Sequence, residues 1–143
     1  LNEFNALIFG TIKDDTQWKT LTGATSRDPR IYKQYTPYKV TVSPSKPGYG
    51  VYTLTGAAKP GDYIHGAQKS NKIYNVELYS KTDTLLTQLC DRIEALFDDG
   101  RFTTPSYRVG WTYVTRSAEV FQDGRKLYTS VVSVYLNKIY VLT

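Results

Sequence analysis

The stretch NKIYNVELYSKTDTLLTQLCDRIEALFDDG, residues 71–100, changes its hydrophobic period once, and that change decides the fold. In its first third Tyr74, Val76 and Leu78 alternate with Asn75, Glu77 and Tyr79, the two-residue period of a strand with one covered face. From Leu85 the period lengthens: Leu85, Leu86, Leu89, Cys90, Ile93, Leu96 and Phe97 fall on one apolar face of a helix, with Asp91, Glu94 and Asp98 elsewhere. Thr82 or Asp83 caps the start and Gly100 supplies a stop. Burying six such large side chains contributes roughly 9 to 18 kcal/mol at most, so the helix is expected to lie on the sheet that the strand joins. Asp98 and Asp99 stand at the negative end of the helix dipole, an unfavourable place that no sequence feature explains.

Upstream, LNEFNALIFGTIKDD places Leu1, Phe4, Leu7, Ile8 and Ile12 near a 3.6-residue period, predicting a first helix despite Gly10. DDTQWKTLTG reads as a short second helix, capped by Asp15 or Thr16 and ended by Gly23. SRDPRIYKQYTP carries turn chemistry at Asp28-Pro29 and Thr36-Pro37. In PYKVTVSP, residues 37–44, Tyr38, Val40 and Val42 alternate with polar residues and predict a strand that Pro44 and Pro47 stop. Residues 48–56, GYGVYTLTG, predict another. The Gly- and Lys-rich segment 55–72 lacks periodicity and is expected to be a mobile, exposed loop.

Downstream the chain reads as β. Asp123-Gly124 between two alternating runs is a strong hairpin signal. Unbroken from Leu127 to Leu142, the last strand would span roughly 50 Å, more than one small sheet pairs, so either Asn137-Lys138 bends it or it reaches beyond its own subunit. These elements together predict a single α+β domain over residues 1–143: a mainly antiparallel sheet, one long helix packed on it, short N-terminal helices and a protruding β-hairpin.

With 143 residues, 41% hydrophobic and 22% charged, the chain suits one soluble globular unit. It has no apolar run of the length a membrane span needs and no secretory signal pattern in its opening residues. Cys90 is the single cysteine, so no intrachain disulfide framework is expected. The 13 tyrosines offer large, rigid contact area with a polar tip, a residue type enriched where proteins meet. The net charge of +5 is unevenly spread: residues 27–72 hold eight basic side chains against Asp28 and Asp62.

A search for catalytic chemistry finds little to assemble. His65 is the only histidine, and it lies in the predicted loop with no nucleophile near it in sequence. Cys90 falls on the apolar helix face, where a thiol is inert packing. Asp91, Glu94 and Asp98 share helical spacing that could hold a hard cation, and read as a solvated face. KPGYG lacks the spacing of a phosphate loop. No catalytic residue, metal ligand or cofactor is assigned. The basic segment interleaves Arg27, Arg30, Lys33 and Lys46 with Tyr32, Tyr35 and Tyr49, a combination suited to single-stranded nucleic acid or to an acidic protein surface.

Two short N-terminal helices closed by Gly23, the PYKV run, the strand and helix of YNVELYSKTDTLLTQLCDRIEALF and a terminal hairpin ending in LYTSVVSVYL together resemble the tail-terminator, or tail-completion, proteins of long-tailed bacteriophages. The resemblance implies a non-enzymatic virion protein, assembled in the host cytoplasm, that forms a ring, expected to be a hexamer, at the head-proximal end of the tail tube. Its partners would be copies of itself, the tail tube protein, head-tail connector proteins and the DNA passing through the lumen, with no membrane and no cofactor. Ring or tube contacts are expected from the loop residues Lys59, Tyr63, His65 and Lys69 and from the hairpin residues Asp123, Gly124, Arg125 and Lys126. The terminal NKIYVLT could add as a strand onto a neighbour. A head-completion stopper and a single-stranded nucleic-acid-binding module are the alternatives.

Overall fold

The computed structural model describes residues 2–34, 40–58, 68–69 and 71–142. The chain opens with α1 (Glu3–Lys13), whose N-terminus is capped by the Asn2 side chain and whose buried stripe is Phe4, Ile8 and Ile12. In α2 (Thr16–Thr22) Asp15 caps the start, and Gly23 ends the helix in the left-handed conformation at φ 72°. A Cβ at Gly23 would lie 2.0 Å from the Ser45 carbonyl oxygen, so glycine is required there for space as well as for φ.

Among the described residues eight strands follow: β1 (Ile31–Lys33), β2 (Gly48–Ala58), β3 (Gln68–Lys69), β4 (Asn71–Ser80), then, after the helix α3 (Asp83–Phe97), β5 (Phe102–Thr103), β6 (Tyr107–Arg116), β7 (Val120–Gln122) and β8 (Leu127–Val141). They form one mixed sheet in the order β1-β2-β4-β8-β6-β5, parallel between β1 and β2 and antiparallel elsewhere, with β3 and β7 also paired to β8. The helices cover one face, so the fold is α+β, and the core lies between Leu86, Leu89, Ile93 and Phe97 of α3 and Tyr74, Val76, Leu78, Val132, Val134 and Leu136 of the sheet.

The period change at residues 71–100 is realised as read, with Thr82 accepting from the Leu85 amide as the cap of α3. The stop differs. Asp99, not Gly100, takes the left-handed conformation at φ 50°. The two terminal acids reach across to β6: Asp98 accepts from the Val114 amide at 3.3 Å and Asp99 from the Trp111 indole at 3.2 Å. They tie the helix end to the sheet, which accounts for acids at a place the dipole disfavours.

Three expectations need correction: one strand, one turn segment and one loop. Val40–Val42 form no strand although Val40 and Val42 are half-buried beside Tyr49 and Leu127; Ser43 and Lys46 make only an isolated bridge, and the Thr41 carbonyl is used by Arg30 instead. The remainder of that run, residues 37–39, lies outside the described residues. Strand β1 is hidden by the turn residues around it, being three residues long and, among the described residues, paired with the edge of β2 alone while Ile31 enters the core. The segment expected as a loop over 55–72 is partly sheet: β2 runs to Ala58 past a register shift between Leu54 and Gly56, β3 occupies 68–69, and β4 starts at Asn71.

The long last strand is paired along its whole length within its own chain. On one side β4 pairs Tyr128 through Leu136 and β3 continues to Ile139 and Tyr140; on the other β7 takes Leu127 to Thr129 and β6 takes Val132 to Val141. The terminal run is thus an inner strand and not a donated arm. The expected bend is at Lys138, whose φ is 53°, with Gly110 opposite. Leu136 and Ile139 are both fully buried, so the side-chain alternation shifts by one across that residue.

Candidate assembly surface

Strand β7 and the start of β8 make the expected hairpin, joined by Asp123, Gly124, Arg125 and Lys126. The left-handed residue of this turn is Lys126, at φ 57°, and its ammonium meets Asp123 at 3.1 Å. Val120 and Phe121, on the edge strand β7, are 56% and 45% exposed. Burying such side chains against another chain is favourable by about 25 cal/mol per Å² of apolar surface, and an apolar open edge is also a template for pairing.

Arg125 does not project freely. Its guanidinium lies 4.8 Å from the centre of the Tyr79 ring and donates to the Tyr49 hydroxyl. Tyr49 and Tyr79 are stacked with centroids 4.8 Å apart, and the Tyr79 hydroxyl donates to Glu77 at 2.7 Å. Burial and the Glu77 carboxylate push the Tyr79 phenol up to about 12, so it remains a neutral donor. This chain of contacts fixes the hairpin turn to β2 and β4.

The sheet face away from the helices carries a row of aromatics. Tyr113 and Tyr135 are cross-strand partners stacked at 4.4 Å and 4°, and Trp111 leans on Tyr113 at 5.0 Å. Trp111 is 41% exposed. Sequence reading missed these residues, although the alternation in β6 and β8 assigns them to the uncovered face once Val132, Val134 and Leu136 are given to the core.

The predicted basic, tyrosine-rich surface is largely taken apart by folding. Arg30 and Tyr49 are each only 2% exposed, contrary to the surface position expected for them. Tyr49 is covered by Tyr79 and Leu127, while Asp28 gathers the others: it accepts from the Tyr32 hydroxyl and from Lys46 at 3.1 Å, and pairs with Arg30 at 3.6 Å. Burial and the bond to Asp28 push the Tyr32 phenol up to about 12. Arg30 spends its other donors on the carbonyls of Gly48, Thr41 and Lys46. Arg27 and Lys33 are exposed, and Tyr35 lies outside the described residues. Of the predicted loop contacts, Lys59, Tyr63 and His65 lie outside the described residues, and Lys69 is placed in β3 opposite Ile139.

Chemically reactive groupings are few. Cys90 is buried, and desolvation pushes its thiol up, away from thiolate. Asp91 and Glu94 hold Arg116 at 2.5 and 2.8 Å. Among the described residues no group of three or more His, Cys, Asp or Glu is placed to hold a metal ion, and no helix is long and apolar enough to cross a membrane. The groove between α2 and α3, about 530 Å³, is lined by Thr16, Gln17, Thr20, Leu21, Gln88, Asp91, Arg92 and Ala95; its carboxylate Asp91 is engaged by Arg116 and its guanidinium Arg92 by Asp15. The arrangement offers apolar and aromatic contact area.

No family model matches the chain, and no curated protein matches it either. Among solved structures, the fold is shared with a chain of the "virion of native gene transfer agent (GTA) particle", with a TM-score of 0.68 over 94% of this chain and 90% of that one, at 10% sequence identity.

Proposed function

We propose that the protein is a virion structural protein: a tail terminator, or tail-completion protein, whose copies form a ring that caps the head-proximal end of the tail tube and joins the tail to the head connector. The observation that carries this reading is the fold shared end to end with a chain of a virion particle, both chains being covered almost completely. The exposed Val120 and Phe121 and the aromatic row of Trp111, Tyr113 and Tyr135 supply contact area of the kind subunit interfaces bury. A closed ring, expected to be a hexamer, joins one patch to a different patch on the next copy, so an edge strand on one side of the sheet suits it. On this reading the partners are copies of the chain, the tail tube protein and the connector proteins, with DNA passing through the lumen; the role is not enzymatic and the location is the virion.

Light scattering over a concentration series, followed by negative-stain imaging of the protein mixed with tail tubes, tests this. Rings in solution or at tube ends are expected. A persistent monomer in the presence of tubes, with tube ends bare, would falsify the reading.

A further inference from the structure

The bend at Lys138 shapes a second feature. In the corner where β5, β6 and β8 meet, Phe102, Val109 and Ile139 are cross-strand partners; Val109 and Ile139 are fully buried, and Phe102 packs against the same core. Strand alternation then sends Thr103, Arg108 and Tyr140, a second cross-strand row, to the opposite face. Arg101 and Lys138 flank this row and, with Gly110 between the strands, complete a cleft of about 460 Å³. Gly110 keeps its floor open: a Cβ there would come within 3.0 Å of the Lys138 Cβ and 3.2 Å of its carbonyl oxygen.

The charge in this cleft is of one sign. Arg30, Lys46, Arg92, Arg116 and Lys126 each have a carboxylate within ion-pair distance, whereas among the described residues Arg101, Arg108 and Lys138 have none, and no acid lines the cleft. All three cations are exposed. The Arg108 guanidinium lies 5.5 Å from the centre of the Tyr140 ring, which orients its donors without neutralising it.

We propose that this cleft binds the phosphodiester backbone of nucleic acid. Arg108 reaches it from β6, Lys138 from β8 and Arg101 from just ahead of β5, and a carboxylate would be satisfied by a single guanidinium fork, leaving two charges uncompensated. Successive phosphates present acceptor oxygens in several directions and match all three, while Tyr140 offers a ring face beside them. The site lies outside residues 27–72, where the excess of positive charge in the sequence is concentrated. It also does not depend on ring formation: a chain that fails to cap tubes can still bind through it, and the reverse.

Fluorescence anisotropy of a labelled DNA duplex, titrated with the full chain across a series of salt concentrations, tests the site. The triple variant Arg101→Gln, Arg108→Gln, Lys138→Asn, with asparagine chosen to tolerate the left-handed backbone, is expected to bind at least about 10-fold more weakly at low salt and to lower the log-log salt slope by about 2 to 3. A comparator that removes the same charge elsewhere, Arg27→Gln, Lys81→Gln, Lys126→Gln, is expected to change the slope much less. If the triple variant does not fold by circular dichroism, Arg101→Gln alone is expected to lower the slope by about 1. Equal loss in the comparator, an unchanged slope in the triple variant, or displacement of duplex by polyglutamate at matched charge would each overturn the proposal. So would binding of inorganic phosphate in the absence of any duplex binding.

Discussion

Arg92 on α3 grips both carboxylate oxygens of Asp15, at 2.8 and 2.6 Å, while the same Asp15 accepts from the Trp18 amide at 2.8 Å as the cap of α2. One side chain, 8% exposed, therefore starts one helix and ties it to another. The Arg92 bonds hold the Asp15 carboxyl below its ordinary range. A depressed acid stabilises the fold above its unfolded pKa, and that contribution is lost as pH falls through the lower folded value. Asp15→Asn is thus expected to cost about 2 to 4 kcal/mol near neutrality and to shrink the loss of stability below about pH 4, read from urea midpoints at several pH values. An unchanged midpoint at pH 7 would remove this account.

Arg30 predicts a residue-specific cost. Its buried guanidinium serves the carbonyls of Gly48, Thr41 and Lys46 at 3.1, 3.0 and 3.0 Å, three bonds in a planar fork that lysine does not reproduce. Arg30→Lys is expected to lose about 2 to 4 kcal/mol by urea unfolding and to expose residues 40–47 to proteolysis. Equal resistance of the variant and the parent protein to a protease would show that this segment is held by other contacts.

Two glycines should respond with opposite signs to the same substitution. Gly10 lies within α1 with nothing within 4 Å of an added Cβ, so Gly10→Ala is expected to stabilise by about 0.5 to 1 kcal/mol. Gly23 combines φ 72° with a 2.0 Å approach to Ser45, so Gly23→Ala is expected to destabilise by more than about 2 kcal/mol. Thermal melts of both variants decide it; shifts of one sign would contradict the geometry.

What was legible in the sequence follows from which forces are local. The caps at Asp15, Gly23 and Thr82 and the buried faces of α1 and α3 depend on residues a few positions apart, and periodicity reports them directly. The alternation of Val40 and Val42 correctly marks a covered face, yet a strand also needs a partner edge, and that is a long-range fact. Composition likewise showed eight cations in residues 27–72 but not that Asp28 would draw Arg30, Lys46 and Tyr32 inward. The cleft cations Arg101, Arg108 and Lys138 are dispersed in sequence and meet only through the register of β5, β6 and β8.

The hairpin offers the sharpest separation between folding and assembly. Phe121 is 45% exposed and meets Tyr128 at 4.8 Å, whereas the fixation of the turn runs through Arg125, Tyr49 and Tyr79 on the far side of the pair. Because the exposed halves of Val120 and Phe121 leave water only on association, replacing both with aspartate should cost the isolated chain only about 1 kcal/mol, from the covered halves, while placing charge in any interface they enter. The Val120→Asp, Phe121→Asp variant is therefore expected to keep its thermal midpoint within a few degrees and to sediment as a monomer under conditions where the proposed ring of the parent chain is expected. Rings of undiminished stability would show that assembly uses other surfaces, of which the Trp111, Tyr113 and Tyr135 row is the next to alter. A variant that unfolds instead would mean that the β7 edge holds the subunit itself together, and the open strand would then have to be explained from within the chain.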